Sequence, residues 1–222
     1  MRVLVISVHP DDEALGCSGT ILKHRMQGDE LSWLIVTEAH SPQWTAEVID
    51  RKAREVEAAA KQYGMKHVRK LGFPTMALDQ VPLSDLITGI HSTVVDMRPE
   101  VIYTIHAGDV HSDHRAVFQA VTSAIKPFNS RSHGVKRLLS FETLSSTDAA
   151  PPGMSRPFLP NVFSDITPYM DEKLRCMEIF GTESQGEFQP RGASAIRALA
   201  RFRGATIGVE YAEAFMLIRE CQ

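Results

Sequence analysis

Residues 3–8 form a run in which every residue except Ser7 is apolar. A half-buried strand would alternate apolar and polar residues, whereas a continuous apolar run of this length is typical of a strand that helices cover on both faces of a parallel sheet. Similar short runs alternate with longer helical segments along the chain, which indicates an α/β protein. We therefore predict a Rossmann-like, three-layer α/β fold with a largely parallel sheet. Because 222 residues suit one hydrophobic core, we expect a single domain over residues 1–222.

The two periodicities also predict the individual elements. We expect strands over residues 3–8, 31–37, 68–71, 101–105, 137–142 and 211–218, and helices over residues 12–26, 46–63, 83–96, 114–125, 167–180 and 194–202. Four prolines and several serines between residues 145 and 160 break any period. We predict a long loop there and consider it a candidate lid over a site.

Composition and charge exclude several functional classes. The chain has 24 basic and 27 acidic residues, a net charge of -3, which leaves no broad basic surface for nucleic acid or acidic lipid. We also expect no membrane span and no signal peptide, because the apolar run near the start is far shorter than the roughly 20 residues that cross a bilayer. The three cysteines are widely spaced and form no CxxC pair. They suit free thiols in a reducing compartment, so we expect a cytoplasmic protein.

Two clusters of histidine and aspartate follow predicted strands. The first strand ends in the motif HPDDE at residues 9–13, and the fourth is followed by HAGDVHSDH at residues 106–114. Ligands of open α/β sheets bind beyond the carboxyl ends of the strands, which is where both clusters fall. A catalytic zinc needs about three His, Asp or Glu ligands and an open position for water. We predict His9, Asp12 and His114 as ligands of Zn²⁺, at a site that could also accept another divalent metal.

Each cluster also has a plain structural explanation. Acidic residues at 11–13 would complement the positive end of a helix, and residues 111–114 would form a surface loop with a helix cap. The joint placement of the clusters at two strand ends favours a site instead. A lone histidine is more often structural than a ligand. By that rule we assign His24, His67, His91 and His133 to structure, and leave His40 and His106 open because each follows a strand.

The two motifs resemble those of the PIG-L/LmbE family, zinc-dependent N-deacetylases that act on N-acetylglucosamine-type sugars. The resemblance rests on VHPDDE at residues 8–13 and YTIHAGDVHSDH at residues 103–114. It extends to the segment 55–64 and to the closing segment 204–215, so that it covers nearly the whole chain. It implies a small amino-sugar substrate, release of acetate and possible assembly into a homo-oligomer.

The resemblance also implies roles for individual residues. It assigns metal ligation to the three residues already predicted, general-base catalysis to Asp11, and polarisation of the carbonyl or protonation of the leaving amine to His111. The chemistry of the residues agrees, because the adjacent side chains of Asp11 and Asp12 diverge in a non-helical turn, so one can bind metal while the other accepts a proton from water. A protonated His111 would stabilise the oxyanion, and Asp113 or another nearby carboxylate would keep it oriented and cationic.

Two further residues are candidates for substrate binding. Arg191 looks like an arginine that lies near the site in the family, where it could hold a hydroxyl, a phosphate or the oxyanion. Trp44 follows the second predicted strand, and its aromatic face could cover a sugar ring. A solvated loop arginine and a packed tryptophan are the structural alternatives. The loop after the second strand, which reads EAH at residues 38–40, departs from the glycine-containing turn usual in the family, so substrate contacts from that loop cannot be carried over.

Three other functions compete with N-deacetylation. The same metal and base could serve an amidase that cleaves a larger amide, such as a sugar-linked thiol conjugate. A nucleotide-binding dehydrogenase would need GxGxxG after the first strand, where this chain has the acidic HPDDE motif. A non-catalytic metal- or sugar-binding protein would leave Asp11 without a purpose.

Overall fold

The computed structural model describes residues 1–153 and 156–222, and it is built around one seven-stranded sheet. The strand order is β3-β2-β1-β4-β5-β7-β6. The strands are β1 Arg2–Ser7, β2 Glu30–Glu38, β3 His67–Pro74, β4 Val101–Thr104, β5 Arg137–Phe141, β6 Val162–Asp165 and β7 Ala212–Glu220. The first five run parallel, and β7 is antiparallel to both β5 and β6. The expected α/β fold with a mostly parallel sheet is therefore confirmed.

The order of the strands creates a crevice at the carboxyl edge of the sheet. The chain moves outward from β1 through β2 to β3, and then returns to place β4 on the other side of β1. The connections that leave β1 and β4 therefore diverge to opposite sides and open a gap between the strand ends. The register that pairs Ile6 with Thr104 brings these two ends level. Both histidine and aspartate motifs follow directly after this point.

Helices cover both faces of the sheet. They are α1 Asp12–Gly16, α2 Ser18–Met26, α3 Ala46–Tyr63, α4 Leu83–Met97, α5 Ser112–Ala124, α6 Ser130–His133, α7 Met170–Ile179 and α8 Ala193–Ile207. Thr45 caps α3, since its side-chain oxygen accepts from the backbone amide of Val48 at 3.4 Å, and Gly64 ends it with a φ of 70°. The predicted bounds of α3 are therefore confirmed.

Several elements differ from the sequence prediction, among them α6, which was not predicted, and β3, which is longer than predicted. The helix expected over residues 12–26 is broken at Cys17, which has a φ of -147°. The strand β6 was missed, because its four residues are all only partly buried at the sheet edge and carry no strong apolar pattern. The last helix, α8, continues five residues past the predicted end at 202, until Gly208 with a φ of 76° stops it.

A buried ion pair explains the break between α1 and α2. The carboxylate of Glu213, on β7, accepts from the backbone amides of Gly19 and Thr20 in the first turn of α2 at 2.9 and 2.7 Å. The ammonium of Lys173 lies 2.8 Å from the same carboxylate and also donates to the carbonyl oxygens of Ala14 and Leu15, on α1. One buried ion pair thus forms hydrogen bonds with free backbone groups at the amino end of α2 and at the carboxyl end of α1.

No helix among the described residues is both long enough and apolar enough to cross a membrane.

Candidate active site

The candidate site lies at the ends of β1 and β4. The turn between β1 and α1 supplies His9, Asp11 and Asp12, and the amino end of α5 supplies His111 and His114. These residues are far apart in sequence and meet because β1 and β4 are neighbours in the sheet. The sequence-based expectation that the two motifs come together is therefore met by the fold.

His9, Asp12 and His114 form a group that could hold a metal ion. One ligand atom from each lies within 4.8 Å of the other two. The Nε2 atom of His114 is 3.3 Å from one carboxylate oxygen of Asp12, and the Nδ1 atom of His9 is 3.9 Å from the other. That second oxygen also accepts from the backbone amides of Val8 and His9 at 2.9 and 2.8 Å. The Asp12 carboxylate is thus fixed by the strand end itself.

Protonation of this group follows from its geometry. Burial opposes ionisation of Asp12, yet His114 and His9 together lower the pKa of its carboxyl group. Burial also disfavours a charged His114, but the carboxylates of Asp12 and Asp109 outweigh it and raise the pKa of this imidazole to about 10. A proton and a metal ion would therefore compete for the same ring nitrogen.

In both His9 and His114, the ring nitrogen that faces away from Asp12, called here the outer nitrogen, contacts a carboxylate. The Nδ1 atom of His114 lies 2.8 Å from Asp109, and the Nε2 atom of His9 lies 3.1 Å from Asp113. Thr147 donates to the other oxygen of Asp109 at 2.6 Å. Such carboxylate partners fix the tautomer of a ligand histidine and raise its basicity. Sequence analysis missed Asp109, although it lies five residues before His114 within the second motif.

We had expected the carboxylate of Asp113 to orient His111, but in the structure that carboxylate has other hydrogen-bond partners. Its carboxylate instead accepts from the backbone amides of Met76 and Leu78 at 2.8 and 3.2 Å, besides its contact with His9. Its own backbone amide donates to the Nδ1 atom of His111 at 3.2 Å, because His111 is the N-cap of α5. The alternative group of His9, His111 and Asp113 is less suited to a metal, since these contacts already occupy Asp113.

His111 is neutral in this environment rather than cationic. Burial, together with the neighbouring imidazoles of His9 and His114, lowers its pKa to about 4. The three rings lie close together, with the His111 centroid 4.7 Å from that of His9 and 5.1 Å from that of His114. Since its Nδ1 atom accepts from a backbone amide, the neutral ring carries its proton on Nε2. A neutral His111 can therefore donate a hydrogen bond from Nε2, whereas the sequence led us to expect a protonated form; its catalytic role stays a prediction.

Asp11 is buried and its backbone is strained. Its φ is 127°, a conformation that non-glycine residues rarely adopt, and only 3% of the residue is exposed. Glu13 helps to hold this turn, because its carboxylate accepts from the backbone amide of Asp11 at 3.3 Å. Burial, and next the charge of Asp12, raise the pKa of Asp11 well above its usual value, although Arg191 opposes the shift. Strain of this kind concentrates at functional positions.

Arg191 reaches the site from the loop between α7 and α8. Its Nη1 atom donates to Asp11 at 2.8 Å and to Glu183 at 3.1 Å, and its Nε atom donates to Ser145 at 3.0 Å. Glu183 in turn pairs with Lys52 of α3. Arg191 is thus not a solvated loop residue. Its partners could not be read from the sequence, because they lie between 8 and 180 positions away.

A cavity of about 310 Å³ opens beside these residues. Trp44 lines it together with apolar side chains of β2 and α3 that include Ile35, Ile49 and Val56, and its predicted contact with substrate stays a prediction. His40 and His106, left open by the sequence, do not line it: His40 donates to the carbonyl of Gly72, and His106 to that of Arg156.

The described residues of the candidate lid contribute little to this cavity. Ser146 lines the cavity and Ser145 contacts Arg191, whereas residues 154 and 155 of the predicted loop lie outside the described residues. Whether the loop closes over the site stays a prediction.

The fold and the site define a class of protein. A mostly parallel α/β sheet that carries, at its carboxyl edge, a His/Asp group able to hold a metal ion and a buried acid beside it suits a metal-dependent α/β enzyme. The chain belongs to the PIG-L family, since the family model described as GlcNAc-PI de-N-acetylase matches residues 4–125. The resemblance seen in the sequence is confirmed.

Similar proteins support this assignment. The uncharacterized deacetylase YaiS of Escherichia coli is 27% identical over 169 residues, which cover 74% of this chain and 81% of that protein. Diacetylchitobiose deacetylase of Thermococcus kodakarensis is 26% identical across an alignment that covers 98% of this chain and 83% of that protein. Among solved structures, a conserved protein of Thermus thermophilus matches with a TM-score of 0.77 and 25% identity, over 99% of this chain and 96% of that one.

Proposed function

We propose that this protein is a metal-dependent hydrolase that removes the N-acetyl group from an N-acetylglucosamine-type amino sugar or its conjugate and releases acetate. The observation that carries the proposal is the pairing of a buried, strained Asp11 with the His9, Asp12 and His114 group. Relatives named as deacetylases of diacetylchitobiose and of N-acetylglucosaminyl malate support the substrate class.

The donor set fits a divalent metal. Two imidazole nitrogens and a carboxylate oxygen face one another, and the outer nitrogen of each histidine is already held by a carboxylate. A divalent ion held there would supply Lewis acidity, which makes water more acidic and the amide carbonyl more electrophilic. We propose Zn²⁺ as that ion, because this pattern of nitrogen and oxygen ligands suits it, although it also suits iron, manganese or cobalt.

The residues around the metal group can perform the remaining chemistry. Asp11 accepts the proton of the attacking water, and its raised pKa suits a base that must later give the proton to the leaving amine. Arg191 holds the carboxylate of Asp11 in place. The Nε2 proton of His111 is available to the carbonyl oxygen as negative charge develops on it. Asp113 orients His9 in this scheme rather than His111.

Two rival functions make different predictions. An amidase for a larger amide would use the same residues and differ only in the groups that the cavity accepts. A non-catalytic binding protein would gain nothing from a strained, buried Asp11 that is not part of the candidate ligand group, so the geometry favours catalysis.

The test is acetate release from a panel of N-acetylglucosamine derivatives by metal-stripped protein, with and without added zinc. We expect zinc-dependent release that falls by at least about 100-fold in Asp11→Asn, because the general base is lost while the side-chain volume is kept. Asp85→Asn is the matched control, since Asp85 is exposed on α4 and does not line the cavity.

Each outcome separates the alternatives. Release that disappears in Asp11→Asn while one metal ion per chain is retained supports the proposal. Unchanged release would remove Asp11 as the base. Metal binding without release from any derivative would favour the amidase, which longer N-acyl substrates would then reveal.

We further propose that the protein acts in the cytoplasm, since Cys17, Cys176 and Cys221 are free thiols in the structure. Assembly into a homo-oligomer also stays a proposal that rests on the family resemblance. Sedimentation of the zinc-loaded protein tests it directly.

A further inference from the structure

Among the described residues, the lysine, arginine, aspartate and glutamate side chains that line the cavity are equal in number and paired in space. The basic residues are Lys52, Lys70 and Arg191, and the acidic residues are Asp11, Glu38 and Glu183. Lys70 lies 3.1 Å from Glu38, while Glu183 contacts both Lys52 and Arg191, and Arg191 also contacts Asp11. Each cationic group in the lining therefore already has a carboxylate partner.

A bound metal would not make the site cationic. A divalent ion adds two positive charges, but Asp12 within the ligand group and Asp109 and Asp113 behind the histidines supply three negative ones. An anionic group of a substrate, such as a phosphate or a carboxylate, would have to displace one of the existing carboxylates to reach a cation. It would also meet repulsion from the remaining acids.

The ion pairs of Glu183 with Lys52 and Arg191 should affect the binding of an anionic substrate more than the Lys70–Glu38 pair does. The side chains of Lys52, Glu183 and Arg191 are between 22% and 29% exposed, whereas Lys70 and Glu38 are 35% and 39% exposed. Solvent and salt screen the second pair more strongly. Glu183 contacts two cations, so its removal leaves Lys52 without a carboxylate partner and Arg191 with Asp11 alone, whereas removal of Glu38 affects only Lys70.

We propose that this cavity selects amino-sugar substrates whose other substituents are uncharged, and that Glu183 and Glu38 determine this specificity by cancelling Lys52, Arg191 and Lys70. The inference rests on the proposed N-deacetylation and narrows its substrate class. The uncharged part of the substrate lies against Trp44 and the apolar floor formed by Ile35 and Val56.

The experiment compares two substrates that differ in one charged group. Methyl N-acetyl-α-D-glucosaminide is neutral, and N-acetyl-α-D-glucosamine 1-phosphate carries its anionic group at the same carbon. For the zinc-loaded protein we measure kcat/KM by acetate release and Kd by calorimetry for both compounds. We expect the neutral compound to be preferred in both measurements.

The variants Glu183→Gln and Glu38→Gln test the cause. Each keeps the size of the side chain and leaves a cation without its partner, so we expect the ratio of phosphate to methyl compound to rise by roughly threefold to tenfold in kcat/KM and in binding. Glu183→Gln should give the larger rise. Glu57→Gln is the matched control, because it removes the same charge from the exposed face of α3 and should leave the ratio unchanged.

The two proposals can fail separately. If neither compound releases acetate, N-deacetylation of these sugars is wrong, and the Kd values still test charge selection. If the phosphate is preferred in the unmodified protein, or if Glu183→Gln shifts the ratio no more than Glu57→Gln, charge selection is wrong even though release of acetate stands.

Discussion

The orientation of a candidate ligand histidine depends on what its second ring nitrogen contacts. At this site two carboxylates hold those second nitrogens. Asp109 holds the Nδ1 atom of His114 and Asp113 holds the Nε2 atom of His9, so both rings present a fixed nitrogen to Asp12. The sequence could identify the three candidate ligands, because their residue types and positions after strands are visible. It could not assign Asp109 or Asp113 to a particular ring, because these pairings depend on side-chain geometry.

We expect Asp109→Asn to lower zinc affinity by about 10-fold to 100-fold, because the neutral amide is a weaker acceptor for the proton of His114. Competition with a chromogenic chelator measures the affinity. Asp85→Asn again serves as the control and should bind zinc normally. Equal affinity of the two variants would show that Asp109 does not support the ligand group.

At the scale of elements, the structure is most predictable where a helix or strand has a clear pattern and local caps. The helix α3 has both, and its predicted bounds match. The break between α1 and α2 was not visible, since it depends on Glu213 and Lys173 from the far end of the chain. Edge strand β6 was missed for a related reason, because its position is set by pairing with β7 rather than by its own residues.

Gly16, the last residue of α1, allows Phe141 of β5 to pack closely. A Cβ atom at this position would lie 2.1 Å from Cδ2 of that buried ring, so the ring or the helix would have to move. We expect Gly16→Ala to lower the free energy of unfolding by about 1–3 kcal/mol. Urea denaturation measures the change.

The matched control is Gly186→Ala, where the nearest atom to an added Cβ lies 4.0 Å away. We expect it to change the free energy of unfolding by less than about 1 kcal/mol. A loss at Gly16 no greater than at Gly186 would contradict the packing argument.

At the scale of the whole molecule, one buried charge pair joins segments from both ends of the chain. Lys173 of α7 and Glu213 of β7 together satisfy backbone groups of α1 and α2, and both side chains are less than 5% exposed. Loss of one partner leaves the charge of the other buried without an opposite charge beside it. This usually lowers the stability far more than loss of both partners does. The sequence gives no sign of this pair, because the two residues lie 40 positions apart.

We expect Lys173→Met to lower the free energy of unfolding by about 3–5 kcal/mol, and addition of Glu213→Gln to recover part of that loss. Lys126→Met, at an exposed lysine, should cost less than about 0.5 kcal/mol. Thermal and urea unfolding of the four proteins measure these differences. A double variant that is less stable than Lys173→Met would contradict the explanation.

The residues around the cavity come from two separate parts of the chain, which can change independently in evolution. The candidate metal group comes entirely from residues 9–114, whereas Glu183 and Arg191 come from the loop between α7 and α8. Variation at positions of that loop other than Arg191, which also holds Asp11, can change the lining of the cavity without disturbing the candidate metal group. A lineage with this architecture can therefore change what its cavity accepts while the candidate metal group and Asp11 stay the same.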